Sequence, residues 1–213
     1  MKRLAIILTA LSLLLLCACK PKTAVTNKHE YFPVSEKQGE SYVSAVKAFN
    51  TFLNNNSKAI GKESAIEVTV DDLLATGDNA INEFILFDMN RDGSPELHFS
   101  GATYAIFTAV NDQVVLVYSE EAKLEFHQLL GLPAVMGMQR NKANVVYRFV
   151  MMQPNGDIDI VSFSDPRGYG TTAPFVFNGK VVEETEWISL TKSFFDYTKN
   201  ALTLEWEAYI KYH

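Results

Sequence analysis

Cysteine is nearly absent from this sequence: of 213 residues only Cys17 and Cys19 are cysteines, and both close an apolar leader. Everything after Cys19 therefore lacks disulfides, thiolate metal ligands and a cysteine nucleophile. Histidine is almost as scarce, with four residues, His29, His98, His127 and His213. His29 and His213 lie towards the ends of the chain, which leaves His98 and His127 as candidate bases. Long apolar runs are missing after Leu16, so no later stretch reaches the ~20 residues that a membrane-spanning helix needs. An excess of positive charge is missing too. Lys and Arg number 19 against 25 Asp and Glu, a formal charge of −6, and nucleic acid, whose binding rests on Lys and Arg neutralising phosphates, is not an expected partner. Gly-x-Ser-x-Gly, Walker, His-Glu-x-x-His and Gly-x-Gly-x-x-Gly motifs are all absent, and with them the common signatures of hydrolase, zinc-protease and nucleotide chemistry.

What is present begins with an address. Lys2-Arg3 precedes an apolar run from Leu4 to Leu16 that only Thr9 and Ser12 interrupt. A positive start, a short apolar core and small residues at its end describe a secretory signal rather than a membrane span. Leu16-Cys17-Ala18-Cys19 resembles the lipobox of bacterial lipoproteins, with Leu three residues before the cut, Ala just before it and Cys just after. Cys17 fits worse, because bulky Leu16 would fill the small-residue position. The resemblance implies a signal peptide at 1–18 and a diacylglycerol on Cys19. Two acyl chains anchor stably where one is marginal, each buried CH₂ contributing about 0.8 kcal/mol. Lys20 follows in place of Asp, so nothing points to retention at an inner membrane. Residues 19–39 are polar, with Pro21, Pro33 and several Lys, and read as a flexible lipidated tether. Its Lys20, Lys22 and Lys28 favour anionic headgroups weakly. The expected partner is the membrane, at its extracytoplasmic face, with a cell-envelope component as a second.

Residues 40–213 read as one α+β domain. Apolar positions at Tyr42, Ala45, Val46, Phe49, Phe52 and Leu53 have helical spacing and predict a helix over Ser41–Leu53 with Phe49 and Phe52 inward. Asp71–Leu74 reads as one helical turn. Strands follow: Phe84–Phe87, Leu97–Phe99, then pairs flanking the turn residues Asn111-Asp112, Asn155-Gly156 and Asn178-Gly179, where Asn-Gly is a strong hairpin signal. The glutamate-rich stretch around Glu120, Glu121 and Glu125 reads as solvated. Trp187, Leu190, Phe194 and Tyr197 predict a second helix over Glu184–Thr198, and Leu204–Tyr209 reads as a last strand or a last helix. The expected fold is a twisted antiparallel sheet of hairpins with an N-terminal and a C-terminal amphipathic helix packed on it.

The densest chemistry lies in Asp88-Met89-Asn90-Arg91-Asp92-Gly93-Ser94-Pro95-Glu96. Oxygen-bearing side chains alternate along it, as a calcium loop requires: calcium takes about six to eight oxygens at about 2.3–2.6 Å. Gly93 permits the sharp turn that brings the Ser94 carbonyl and the Glu96 carboxylate to the same centre. The expected ligands are Asp88, Asn90, Asp92, Ser94 and Glu96, and the expected ion is calcium. The carboxylates of Asp88, Asp92 and Glu96 would repel one another without a cation. An EF-hand carries a bidentate Glu at its twelfth loop position, where this chain has Phe99, and its flanks are helices. The loop looks more like the strand–loop–strand calcium sites of integrin-type propeller repeats. An Asp/Asn/Gly-rich turn without metal uses the same residues. His98 shares a strand face with Glu96 if alternation holds, and Asp165–Gly170 reads as a charged loop.

Phe84–Asp88, Asp92–Leu97, the hairpin Tyr104–Tyr118 and Phe177–Val181 before a Trp-containing helix together resemble a group of small lipoproteins of Gram-positive bacteria. These share a lipobox, an Asp-Gly-x-Pro-Glu-Leu loop between strands and an Asn-Gly-Lys hairpin before a helix. The likeness runs from about Tyr42 to Tyr197. Glu183 departs from it, standing where a Ser or Thr helix cap is expected. The resemblance implies the address and the loop and brings no activity with it. The expected function is that of a lipid-anchored extracytoplasmic domain with one structural calcium loop, acting by binding at the envelope, with no catalytic residue assigned. The alternative is an extracytoplasmic hydrolase of cell-wall glycan or peptide, drawing on His98, His127 or Glu120-Glu121.

Overall fold

The computed structural model describes residues 29–35, 38–78, 80–121, 124–170 and 172–211. The expected signal peptide, Cys19 and the tether up to residue 28 lie outside them. The strands are β1 (Ala59–Gly61), β2 (Glu67–Val68), β3 (Glu83–Phe87), β4 (Glu96–Ser100), β5 (Thr103–Val110), β6 (Gln113–Glu121), β7 (Glu125–Leu129), β8 (Ala134–Arg140), β9 (Val145–Met152), β10 (Ile158–Asp165), β11 (Phe175–Phe177), β12 (Lys180–Val182), β13 (Ala201–Thr203) and β14 (Glu207–Ala208). Helix α1 spans Glu40–Leu53 and α2 spans Glu184–Thr198, with a 3-10 turn at Val70–Leu73. The α+β class, the hairpins and both helices stand as expected. The hairpins, however, are shared between two sheets, ordered β14-β3-β4-β5-β6-β1-β2 and β12-β11-β10-β9-β8-β7-β13. All neighbours are antiparallel except β1 and β6.

The two sheets follow from apolar residues on both faces of their strands. Phe84 and Leu86 on β3, with Phe99 on β4 and Phe107 on β5, pack under Phe49 and Phe52 of α1. Ile85 and Phe87, with Tyr104 and Ile106, point the other way, into a core shared with Phe126, Val135, Val150 and Met152 of the second sheet. The outer face of the second sheet carries Phe149 and Phe163 against Trp187 of α2. The order is thus helix, sheet, sheet, helix. A sheet covered on both faces has near-continuous apolar strands, which is why Phe84–Phe87 shows no alternation.

The structure adds to three sequence expectations. The glutamate-rich stretch lies on strands, with Glu121 and Glu125 exposed, while Phe126 of β7 is buried and stacks on Tyr104 at 3.5 Å between ring centres. Of the two readings of Leu204–Tyr209 the strand holds: β14 lies within it and pairs with β3 in the first sheet, while β13 just before it pairs with β7 in the second. In α2, Leu190 is exposed, and Thr191 is buried instead, its hydroxyl donating to the Trp187 carbonyl at 2.8 Å. Glu183 caps this helix without a side-chain hydrogen bond.

Residues 29–34, read as tether, are docked on the domain. Asn50 accepts the Phe32 N–H and donates to the Phe32 carbonyl, both at 3.0 Å. Asn54 does the same for His29, at 2.9 and 2.7 Å. A side-chain amide has both a donor and an acceptor, so each satisfies an extended backbone as a neighbouring strand would. Phe32 is buried edge-on against Phe84, and Tyr31 donates to the Ile210 carbonyl.

Asn50→Ala is expected to destabilise the chain by about 1–3 kcal/mol in urea unfolding and to open residues 29–34 to protease. An unchanged cleavage pattern would show that Asn50 does not hold the segment. Phe163→Ala, which removes a ring in contact with Phe149, Trp187 and Phe195, is expected to cost about 3–5 kcal/mol by the same measurement.

Candidate cation-binding loop and the cleft beside it

Strands β3 and β4 pair with Phe87 opposite Glu96, so residues 88–95 close their hairpin. The loop curls around its own side chains. The Asp88 carboxylate accepts the N–H groups of Asp92 at 3.1 Å and Gly93 at 2.9 Å. Asn90 also accepts the Asp92 N–H, and Asp92 accepts the Ser94 N–H at 2.7 Å. The Asn90 amide donates to the other Asp92 oxygen at 2.9 Å. Gly93 takes φ +88°, where a Cβ would meet nothing within 4 Å, so the demand for glycine there is conformational rather than steric. The Arg91 guanidinium donates to the Leu130 carbonyl, tying the loop to the turn after β7 in the second sheet.

Glu96 stands apart from the other expected ligands. Residues Leu97 and Phe99 of β4 face α1, so Glu96 and His98 must face the core between the sheets, and both are wholly buried. One Glu96 oxygen accepts the Met89 N–H at 2.8 Å, and the other has no hydrogen-bond partner among the described residues. Burial pushes the carboxyl up to about 8; the Met89 N–H opposes the rise, and the Asp92 and Asp88 charges add to it. Spacing alone would place Glu96 in the loop, but its burial follows from the stacking of the sheets.

His98 lies on the face of β4 that alternation predicts, but as a core residue. Its Nδ1 is 2.7 Å from the Tyr104 hydroxyl, its ring stacks on Phe87, and burial lowers its pKa to about 3, so it is neutral. His127 is half-buried on β7 and lines a 300 Å³ hollow with Glu125. Glu120 forms an ion pair with Arg148 across the two sheets. In the charged loop, Arg167 pairs with Asp165 and lies 4.6 Å over the Trp187 ring, which anchors it to α2.

The structure therefore brings Asp88, Asn90, Asp92 and Ser94 into one hydrogen-bonded curl, with Glu96 joined to it through the Met89 N–H. Among the described residues no three His, Cys, Asp or Glu side chains converge into a preformed metal cage, since Asp88 and Asp92 are turned onto the loop's own N–H groups. Beside the loop opens a cleft of 570 Å³, walled by Asn90, Asp92 and Ser94, by Ile60 and Val110, and by the β9–β10 hairpin tip at Asn155. Lys62 also lines it and is bound to Asp157 at 2.7 Å. Among the described residues no helix is long and apolar enough to cross a membrane.

The chain matches no protein-family model, no curated protein and no solved structure.

The raised Glu96 carboxyl implies a pH dependence in chelator. Between its ordinary value of 4.5 and about 8 the unfolded chain has released a proton that the folded chain holds. Stability therefore falls as pH rises through that window, by up to about 1.4 kcal/mol per pH unit, and levels off above it. Glu96→Gln is expected to remove this slope. Neutral, buried His98 acts in the opposite sense below its ordinary 6.5, equally in both proteins, so the difference between their unfolding free energies isolates Glu96. Parallel curves from pH 4.5 to 8 would contradict the burial assigned to it.

Proposed function

We propose that this chain is a lipid-anchored extracytoplasmic domain whose β3–β4 loop holds one structural calcium ion, and that it acts by binding at the cell envelope. The observation that carries the calcium reading is Glu96: a fully buried carboxylate at the closing position of the loop, with one oxygen unpartnered among the described residues. Leaving such a group charged and unpaired is costly. A divalent cation held by Asp88, Asn90, Asp92 and the Ser94 carbonyl supplies the missing partner and keeps Glu96 ionised. The hydrogen bonds from Asp92 and Gly93 to Asp88 support this, because they already curl the chain as a calcium loop requires. Binding the ion turns the carboxylates from those N–H groups towards a common centre. The affinity expected for such an extracellular module is on the order of 10⁻⁴–10⁻³ M.

The anchor rests on the sequence: Lys2-Arg3, the short apolar run and Cys19, with the likeness to Gram-positive lipoproteins behind them. The alternative reading, a hydrolase of cell-wall glycan or peptide, draws on His98, His127 or Glu120-Glu121; with His98 in the core and Glu120 paired with Arg148, it is left with His127, which lines a hollow beside Glu125.

Thermal unfolding of the chain without its leader, in chelator and in millimolar calcium, tests the cation. At a Kd on the order of 10⁻⁴–10⁻³ M, about 10 mM calcium is a tenfold to hundredfold excess and stabilises by roughly 1.4–2.7 kcal/mol, a rise of several degrees in Tm that Asp92→Ala abolishes. Superimposable curves for the wild type would remove calcium from the function and free the loop's carboxylates for other chemistry.

A further inference from the structure

We propose that the 270 Å³ hollow between β6 of the first sheet and β8 and β9 of the second binds a small free α-amino acid, with its carboxylate on Arg148 and its ammonium group on Glu120. The hollow shares no lining residue with the β3–β4 loop and needs no cation, so it adds a ligand of its own to the function proposed above.

Strand alternation brings the two charges together. Glu120 pairs with Tyr104 across β5 and β6, and Arg148 stands two residues before Val150 on β9. Tyr104 and Val150 fill the layer between the sheets, so Glu120 and Arg148 face it as well. They meet there as an ion pair through the Arg148 Nη1 and one Glu120 oxygen. The Arg148 side chain makes no other hydrogen bond or ion pair among the described residues, and its Nε is buried without a partner. The guanidinium edge formed by Nε and Nη2 grips a carboxylate with two parallel bonds, as Arg167 does for Asp165 at 2.9 Å each. On Arg148 that edge is unused. The other Glu120 oxygen is also buried and unpartnered, and because a carboxylate only accepts, it calls for an N–H donor. Both residues line the hollow, where the Arg148 side chain is 36% exposed and a turn of its guanidinium presents the free edge. Behind them the Tyr118 hydroxyl is buried without a partner too. Burial pushes it up to about 12, the Arg148 charge opposing the rise, so it stays protonated as a further donor.

Charge and lining select the class of ligand. Arg148 and Glu120 cancel, so a ligand bringing only a carboxylate would add an uncompensated negative charge, and one bringing only an ammonium group a positive one. Either is costly where water is scarce. A zwitterion leaves every charge beside an opposite one and the sum at zero. Glu121 also lines the hollow but is exposed, where solvent and salt screen it. The apolar part of the wall is aliphatic, Leu124 and Val146, and no aromatic ring lines it among the described residues. The volume of 270 Å³ falls just below the ~300–1,000 Å³ of sites for drug-sized ligands, which restricts the side chain to that of glycine, alanine or valine.

The test titrates the leaderless chain by calorimetry, in chelator throughout, with glycine, L-alanine, D-alanine and L-valine. The controls are N-acetyl-L-alanine, which lacks the ammonium group, and L-alaninamide, which lacks the carboxylate. The variants are Arg148→Lys, which keeps a charge opposite Glu120 but has no fork, and Gln139→Trp, which fills the hollow from its wall and leaves the ion pair intact should Arg148→Lys fail to fold. At least one amino acid is expected to bind about tenfold or more tightly than either control, and to lose about tenfold or more in affinity in each folded variant. A chain that binds none of the four amino acids would overturn the inference. Equal binding of N-acetyl-L-alanine or L-alaninamide would overturn it too, since only one charge would then be read. Binding that survives Gln139→Trp, or a folded Arg148→Lys, would place the ligand elsewhere and sink the site. With calcium absent, none of these results touches the cation reading, which the melting curves in calcium decide alone.

Discussion

Two sheets that are apolar on both faces can bury themselves only as a stack, and every other feature of the molecule is arranged around that constraint. The layer between them is filled by the Tyr104–Phe126 ring stack, with Ile106, Val135 and Val150 around it. The outer faces take one helix each. Polar ties then cross the layer: Glu120 reaches Arg148, and Arg91 reaches the Leu130 carbonyl. The tail runs from β13 in one sheet to β14 in the other, with Leu204 buried on the way.

The same constraint explains why a carboxylate sits in the core. Side chains on a strand alternate, so a register that gives Leu97 and Phe99 to α1 necessarily gives Glu96 and His98 to the middle layer. A slip of one residue would send the aromatic the wrong way, at a cost of the order of a buried side chain, about 1.5–3 kcal/mol. His98 meets the demand by staying neutral against Tyr104. Glu96 meets it by holding its proton up to about 8, with one oxygen accepting the Met89 N–H of the loop that begins at Asp88.

Much of this was legible beforehand where local rules decide. The stripe of Phe49, Phe52 and Leu53 marks α1, the Asn-Gly pairs mark hairpins, and Glu184–Thr198 is the helix that its spacing predicts. The loop was legible from its alternating oxygens and Gly93. What escaped depends on partners distant in the chain. Nothing in Glu125-Phe126-His127 tells that Tyr104 waits for Phe126, and hairpin signals do not say which of two sheets a strand joins. Residues 29–34 read as tether with the polar chain around them, although Tyr31, Phe32 and Val34 are apolar, because nothing in the sequence tells that Asn50 on α1 and Asn54 just past its end clamp their backbone. The burial of Glu96 and the cleft beside Asp92 likewise exist only once the sheets are stacked and the β9–β10 hairpin has folded over.

The clamp on residues 29–34 also decides how a force on the chain ahead of them would be shared. Asn50 and Asn54 hold the backbones of Phe32 and His29, and Tyr31 donates to the Ile210 carbonyl. A pull from the N-terminal side of His29 would therefore load α1 and the end of the tail beyond β14 together, across side-chain bonds that shear at once, instead of peeling one strand from the edge of the first sheet.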